Sequence, residues 1–286
     1  MTGPDLVPIT ADEAEAAAAF LHAELNPRVS AAAWTALLRP PWQDAGPDSG
    51  VLLRDGDRIV GVCAAVRSLR DVGGASIPLC NLAAFCVLDG YRMHSVRMIR
   101  ALLARRDVQF TDFSPSGNVV AMNERLGFSR LDTATRLVLN PPAGLPRGVR
   151  LSSDPAVLAA VLQGDDARIH RDHRDAPAAR HLLVQKGDRY AYLVYRAHRM
   201  KRLRLFALPL YAGGDRAVLE EAWPAVRAHL LRHDRLPFTL AERRLLGFSR
   251  GVGRVLRNPR ARMVRGAGLD PAGVDYLYSE LALVEW

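Results

Sequence analysis

This chain of 286 residues has almost no lysine: Lys186 and Lys201 are the only two, and arginine supplies the rest of its 39 basic side chains. Cysteine is nearly as scarce. Cys63, Cys80 and Cys86 are an odd number, sit in apolar strand-like stretches and form neither a Cys-x-x-Cys pair nor a spacing with histidine, so buried free thiols are expected rather than disulfides or zinc. No apolar run approaches the roughly 18 residues that cross a bilayer as a helix. The opening MTGPDLVPITADEAEAAAAF has no basic stretch followed by an apolar block, which argues against a secretory leader. A cytoplasmic protein without a membrane span is expected.

The remaining composition is that of a folded protein: 49% hydrophobic and 24% charged residues, with a mean hydropathy of -0.03. At roughly 150 residues per domain, the length fits two domains or one large one. The formal net charge is +9, which suits an anionic cofactor, an acidic carrier protein or nucleic acid without choosing among them.

Helix and strand signals alternate in the first half. ADEAEAAAAFLHAEL (11–25) and SAAAWTALL (30–38) are alanine-rich and helical, the second with Ser30 as N-cap. VLLRDGDRIVGVCAAVRSL (51–69) reads as a hairpin around Asp55-Gly56. IPLCNLAAFCVL (77–88) is a long apolar strand, followed by the loop DGYRMH and the amphipathic helix SVRMIRALLARR (95–106). VQFTDFS is a short strand, NVVAMNERL a helix closed by Gly127, and LDTATRLVL a last strand.

The segment NPPAGLPRG (140–148) holds three prolines and two glycines and breaks either periodic structure. It places an N-terminal domain at 1–140, a linker at 141–148 and a C-terminal domain at 149–286. The same grammar then returns: a helix over 154–163, a hairpin around Gly187-Asp188, the strand LRLFALPLY, the helix DRAVLEEAWPAVRAHLLRH, LPFTLAERRLLG and a final strand DYLYSELALVEW. The likeness of DGDRIVGVCAAV to KGDRYAYLVYRA suggests an internal duplication. Two related α/β (α+β) halves are the expected architecture.

A hairpin, a long strand ending in VLDGYR, a helix, a short strand and a helix ending in LGF resemble, over residues 5–140, the GNAT superfamily of CoA-dependent acyltransferases. The second half looks like a divergent copy, as in the tandem-GNAT arrangement of mycothiol synthase and the FemX-like transferases. The resemblance implies two domains, each a mixed, mostly antiparallel sheet flanked by helices. It also implies acyl transfer from a thioester, acyl-CoA or acyl-phosphopantetheine on an acyl carrier protein, to an amine, or less favoured a hydroxyl, of a sugar, peptide or small metabolite.

A strand that turns into a helix N-terminus offers free N–H groups and the positive end of the helix dipole to a pyrophosphate. Here that turn spans Arg92 to Arg97. The family pattern Q/R-x-x-G-x-G/A puts Arg92 at its first position, but Ser95 and Arg97 replace the glycines, so the pyrophosphate loop is degraded and Arg97 and His94 would have to replace backbone donors. Phe85, Cys86, Val87 and Leu88 would offer main-chain groups to the pantetheine arm. Counting back from Gly127-Phe128 puts Asn123 where the family often has a tyrosine acid, and Ser116 where it has an asparagine.

For a base, TDFSPSGN offers a single carboxylate, Asp112, with Ser114 on the same strand face; a turn or cap role for Asp112 is the alternative. In IHRDHRD, His170 and His173 fit a polar surface helix better than a metal site, and no metal is expected. The basic run RAHRMKRLRL (196–205) reads as a solvated strand face or a dock for an anionic partner. Tyr276, Tyr278 and Glu280 would share one face of the last strand. A GNAT-fold binding protein without catalysis, or a FemX-like aminoacyl-tRNA-dependent transferase, is the competing reading; nucleic acid is otherwise not expected as a partner.

Overall fold

The computed structural model describes residues 3–42, 48–72, 75–200 and 203–285; Lys201 and Arg202 of the basic run lie outside them. The chain opens with β1 (Asp5–Pro8), α1 (Ala14–Phe20), which runs on into one wide turn over Leu21–Leu25, and α2 (Ala31–Leu38). Ser30 caps α2 by accepting from the Ala33 N–H at 3.2 Å. β2 (Gly50–Asp55) and β3 (Arg58–Val72) form the Asp55-Gly56 hairpin, with Gly56 at φ +57°. β4 (Ala75–Val87) follows. The helix α3 (Ser95–Leu103) buries Met98, Ile99, Leu102 and Leu103 on one face, each such side chain contributing about 1.5–3 kcal/mol. Then come β5 (Gln109–Asp112), α4 (Gly117–Arg125), ended by Gly127 at φ +87°, and β6 (Ser129–Arg130).

The second stretch begins with β7 (Thr135–Leu139) and β8 (Val149–Ser152). α5 (Pro155–Val161) starts on a proline after its Asp154 cap and leads to α6 (Gly164–His173). β9 (Arg180–Lys186) and β10 (Arg189–Met200) turn through Gly187 and Asp188 as expected, and β11 (Leu203–Gly214) returns beside β10. After them lie α7 (Arg216–Asp234), β12 (Phe238–Glu242), α8 (Arg243–Leu246), β13 (Gly253–Leu256), β14 (Met263–Arg265) and α9 (Glu280–Leu283).

The described strands make two seven-stranded sheets, ordered β1-β2-β3-β4-β5-β14-β6 and β8-β9-β10-β11-β12-β7-β13. Both are antiparallel except for one parallel pair at the same place, β4 with β5 and β11 with β12. The duplication read from the sequence is therefore a repeat of one topology, and the fold is α/β with two mixed, mostly antiparallel sheets.

The division along the chain differs from the expected one. One unit comprises Met1–Leu131, Ala261–Pro271 and Tyr278–Val284; the other comprises Asp132–Arg260, Ala272–Leu277 and Glu285–Trp286. β7, taken from sequence as the last strand of the N-terminal domain, belongs to the second sheet, pairing with β12 and β13. β14 occupies the matching place in the first, pairing with β5 and β6. The two repeats thus exchange their final strands, and 141–148 lies within the second unit. Nor does the last segment form a strand: Tyr278 adopts a left-handed φ of 53° and Ser279 caps α9 through the Leu281 N–H, which breaks the extended alternation the sequence suggested.

Candidate active site

In the first unit, β4 and β5 are hydrogen-bonded only where Leu79–Asn81 face Gln109–Thr111. β4 continues to Val87, held on its other side by β3, with a bulge where Ala64 and Ala65 face Ala84 and Leu82. Past Asn81 the two strands therefore part, and β4 leaves one row of backbone groups without a strand partner. Phe85, Cys86, Val87 and Leu88 are half-buried along this fork, with Phe85, Val87 and Leu88 packed against the core of this unit.

Asp112 ends β5 at the opening, and it is 5% exposed. Asn123, on the buried side of α4, donates from Nδ2 to Asp112 Oδ2 at 2.8 Å, and the Ser114 N–H donates to Oδ1 at 3.3 Å. Glu280 of α9 stands on the same side and is fully buried. Its Oε1 accepts from Ser114 Oγ at 2.6 Å, and its Oε2 accepts from Asn81 Nδ2 at 2.6 Å. Asn81 is fixed in turn by Thr111 Oγ1, which donates to its Oδ1 at 3.0 Å. Two carboxylates out of water repel one another, and desolvation disfavours either charge. Burial, then the charge of Glu280, pushes Asp112 up to about 7, against the hydrogen bonds from Asn123 and Ser114 and the charge of Arg262. Glu280 is also raised, by burial above all, with Ser114, Asn81 and Arg262 opposing.

Hydrogen bonds bring Asp112, Ser114 and Asn123 together, but β5 ends at Asp112 and Ser114 is exposed beyond it, so the shared strand face read from the sequence does not form. Asn123, however, is turned to Asp112 instead of standing alone as a thiolate donor, and its Oδ1 is buried without a hydrogen-bond partner. A capping role for Asp112 is not seen: Ser116 is the N-cap of α4, and no side chain bonds there. The sequence reading gave Glu280 no part in this site. Asn81 and Thr111 were read only as strand residues.

The expected phosphate turn is not an open loop. Asp89–His94 form a 3-10 helix running directly into α3, so His94 and Ser95 are both in right-handed helical space and the Ser95 N–H already donates to Arg92 O. Without glycine at positions 95 and 97, nothing favours the left-handed excursions that open such a loop. Arg92 pairs with Asp89 at 2.7 Å on the surface, Arg97 donates to Pro4 O at 3.0 Å, and His94 and Ser95 are half-buried.

The second unit has no comparable free carboxylate at the end of β12. Glu242 there accepts from Tyr276 Oη at 2.9 and 2.7 Å and pairs with Arg244 at 2.9 Å. The N-terminus of α7 already holds an anion, since Asp215 accepts from the Ala217 and Val218 N–H groups. His170 and His173, read as surface residues, are buried at 6% and 0% exposure; His173 bonds Ile169 O through Nδ1 at 3.0 Å, and His170 packs edge-on against His181. Cys63 and Cys80 are buried free thiols as expected, and Cys86 is half-buried. No helix among the described residues is long and apolar enough to cross a membrane.

No protein-family model and no curated protein matches the sequence. Solved structures do match over nearly the whole chain. A GCN5-related N-acetyltransferase from Anabaena variabilis is similar with a TM-score of 0.58 at 9% identity, over 92% of this chain and 72% of that one. A GCN5-related N-acetyltransferase from Kribbella flavida is similar with a TM-score of 0.52 at 14% identity, over 91% of this chain and 70% of that one. At such identities what is shared is architecture: this chain carries the fold of the GCN5-related N-acetyltransferases, as two GNAT-like domains whose last strands are exchanged.

Proposed function

We propose that the first unit is the catalytic half of a GNAT-type N-acyltransferase that moves an acyl group from a thioester to an amine. The observation that carries this reading is the pair of buried carboxylates, Asp112 and Glu280, at the opening of the fork between β4 and β5. The free edge of β4 over Leu82–Val87 bonds the amides of a phosphopantetheine arm by strand addition. The thioester carbonyl then lies near Asp112. An acceptor arrives as an ammonium ion and cannot attack until it loses a proton; a carboxylate with a pKa of about 7 is matched to that transfer at neutral pH. The nitrogen lone pair attacks the carbonyl carbon, the positively charged nitrogen of the tetrahedral adduct releases its second proton to solvent, and the adduct collapses with cleavage of the carbon–sulfur bond. The departing thiolate takes a proton relayed by water from Asp112, which regenerates the base.

The phosphates of the donor fall to side chains. Arg92 is available because an exposed ion pair such as Arg92–Asp89 is worth only about 0–1 kcal/mol and exchanges readily for phosphate. Half-buried His94 is the second donor. The donor is acyl-CoA or an acyl carrier protein, whose single phosphate asks less of this turn, and a protein of net charge +9 suits an acidic carrier. The acceptor is a sugar, peptide or small metabolite amine. The second unit contributes no donor site, so one donor binds per chain.

A second reading has its own support. The helical turn at Asp89–His94 and the engaged Ser95 N–H favour a GNAT-fold binding protein that has lost its cofactor. Calorimetric titration with acyl-CoA and with an acyl carrier protein separates the two. One equivalent of donor per chain is expected, weakened about tenfold or more in Arg92→Ala by the loss of a charge-assisted hydrogen bond worth about 1.5–3 kcal/mol. Binding of neither donor would leave the scaffold reading standing, and unchanged affinity in Arg92→Ala would move the phosphates elsewhere.

A further inference from the structure

We propose that the last turn of α7 in the second unit is a site for a divalent transition-metal ion, with His229 and His233 as imidazole ligands and Asp234 as the accompanying carboxylate. The segment reads HLLRHD (229–234), and residues four apart lie one above the other on a helix. That spacing is the one by which a helical histidine pair chelates zinc. The two rings stack with centroids 4.9 Å apart and planes 11° from parallel. Ligand atoms of His229, His233 and Asp234 all lie within 4.8 Å of one another.

Three features set this cluster apart from two histidines that share a face by chance. His229 Nε2 is buried with no hydrogen-bond partner, and a buried polar atom left so is costly unless something coordinates it. Asp234 is pre-positioned: its side chain is 3% exposed, its Oδ2 accepts from Tyr195 Oη at 2.5 Å, and Arg180 pairs with Oδ1. His233 Nδ1 lies 3.4 Å from the same Oδ1, so the ring nitrogen and the carboxylate oxygen stand side by side as donors to one ion. Lastly, the site lies where a long helix ends, and the negative end of the helix dipole favours a cation.

The donor set names the class of ion. Two imidazoles and one carboxylate suit Zn²⁺, Ni²⁺, Co²⁺ or Cu²⁺, whereas Mg²⁺ and Ca²⁺ prefer oxygen ligands throughout. Three protein donors leave a coordination position open. His233 and Asp234 also line a cavity of about 210 Å³ together with His170, Arg174, Arg180 and His181, so there is room for water or a small anion on the ion, with two guanidiniums to attract the anion. The charge of Arg180, paired with Asp234, opposes the ion and weakens its binding relative to a closed structural site. The histidine pair considered from the sequence, His170 and His173, lies outside this ligand set.

The test uses the full chain, stripped of metal with a chelator, titrated with Zn²⁺ alone and with Ni²⁺ alone. One saturable equivalent and a raised Tm on adding Zn²⁺ are expected. His229→Gln and His233→Gln should each weaken binding by at least tenfold and abolish the Tm rise, with circular dichroism at wild-type level; His22→Gln, in the other unit, should bind as wild type does. X-ray absorption of the Zn²⁺-loaded chain should report imidazole ligands. The absence of a saturable equivalent in the wild type, or wild-type affinity in both histidine variants, would overturn the proposal. If either variant fails to fold, the absorption spectrum of the wild type decides, and a spectrum without imidazole scattering counts against the site.

Discussion

Asp112→Asn is expected to lower kcat by a factor on the order of 10² to 10⁴, the range lost with a positioned proton acceptor, while donor affinity stays within about twofold. Asparagine is isosteric, and its amide oxygen keeps the bond from Asn123, so only the 3.3 Å bond from the Ser114 N–H is weakened. The wild type should gain activity as pH rises through about 7, because the base works only when ionised; the variant should show no such limb. Stability should move the other way. The folded value of Asp112 lies above the ordinary 3.8, so the native state holds this proton more tightly than the unfolded chain. Between about pH 4 and 7 that contribution is lost as pH rises. It amounts to at most on the order of 4 kcal/mol, a ceiling because Glu280 shares the burial and the charge. Asp112→Asn should therefore match or exceed the wild-type Tm at pH 8, with the difference closing below pH 4. Wild-type turnover in the variant, with any accepted donor and amine, would leave catalysis to positioning alone.

This combination of lower activity and equal or higher stability is what a functional charge predicts and a structural one does not. Were Asp112 only a turn residue, acting through its bond from the Ser114 N–H, asparagine would serve as well in both respects.

Why Asp112 was legible and its partner was not follows from what a sequence can carry. Asp112 is the lone carboxylate in a strand that runs into Ser-Pro-Ser-Gly, and local pattern suffices to place it at a strand end. The glycine turns at residues 56 and 187 fixed both hairpins for the same reason: φ values of +57° and +62° are open to glycine at little cost. The phosphate turn, read from sequence as degraded, takes the form its residues dictate: with no glycine at 95 or 97, the chain stays in right-handed space and extends α3 by a 3-10 turn. The strand exchange left no local mark. β7 and β14 are short strands, each paired antiparallel on both sides, and periodicity says which face is buried but not which sheet is the neighbour. Glu280 is further still from local rules: 166 residues separate it from Ser114, and its place depends on a left-handed turn at Tyr278 where a non-glycine residue is uncommon.

Glu280→Ala should destabilise the chain by about 2–4 kcal/mol in urea denaturation. The substitution strips the acceptor from Asn81, which is 2% exposed and would keep an unsatisfied N–H at about 1–3 kcal/mol; the cavity left by the removed side chain adds to that. Ser114 is exposed and turns to water, and removing the like charge beside Asp112 offsets part of the loss. Glu280→Gln should stay within about 1 kcal/mol of wild type, because the amide satisfies the same partners: its oxygen accepts from Asn81 Nδ2, and its nitrogen donates to Ser114 Oγ, which can accept as well as donate. What Glu280→Gln changes is charge. With the neighbouring carboxylate gone, Asp112 loses the second of the two causes that raise it, so the acid limb of kcat/KM should move to lower pH while kcat at pH 8 stays within roughly tenfold. If Glu280 were itself the base, glutamine would instead remove 10² or more from kcat at every pH. A limb unmoved in Glu280→Gln, with activity retained, would show that the two carboxylates are not coupled and that burial alone holds Asp112 near neutrality.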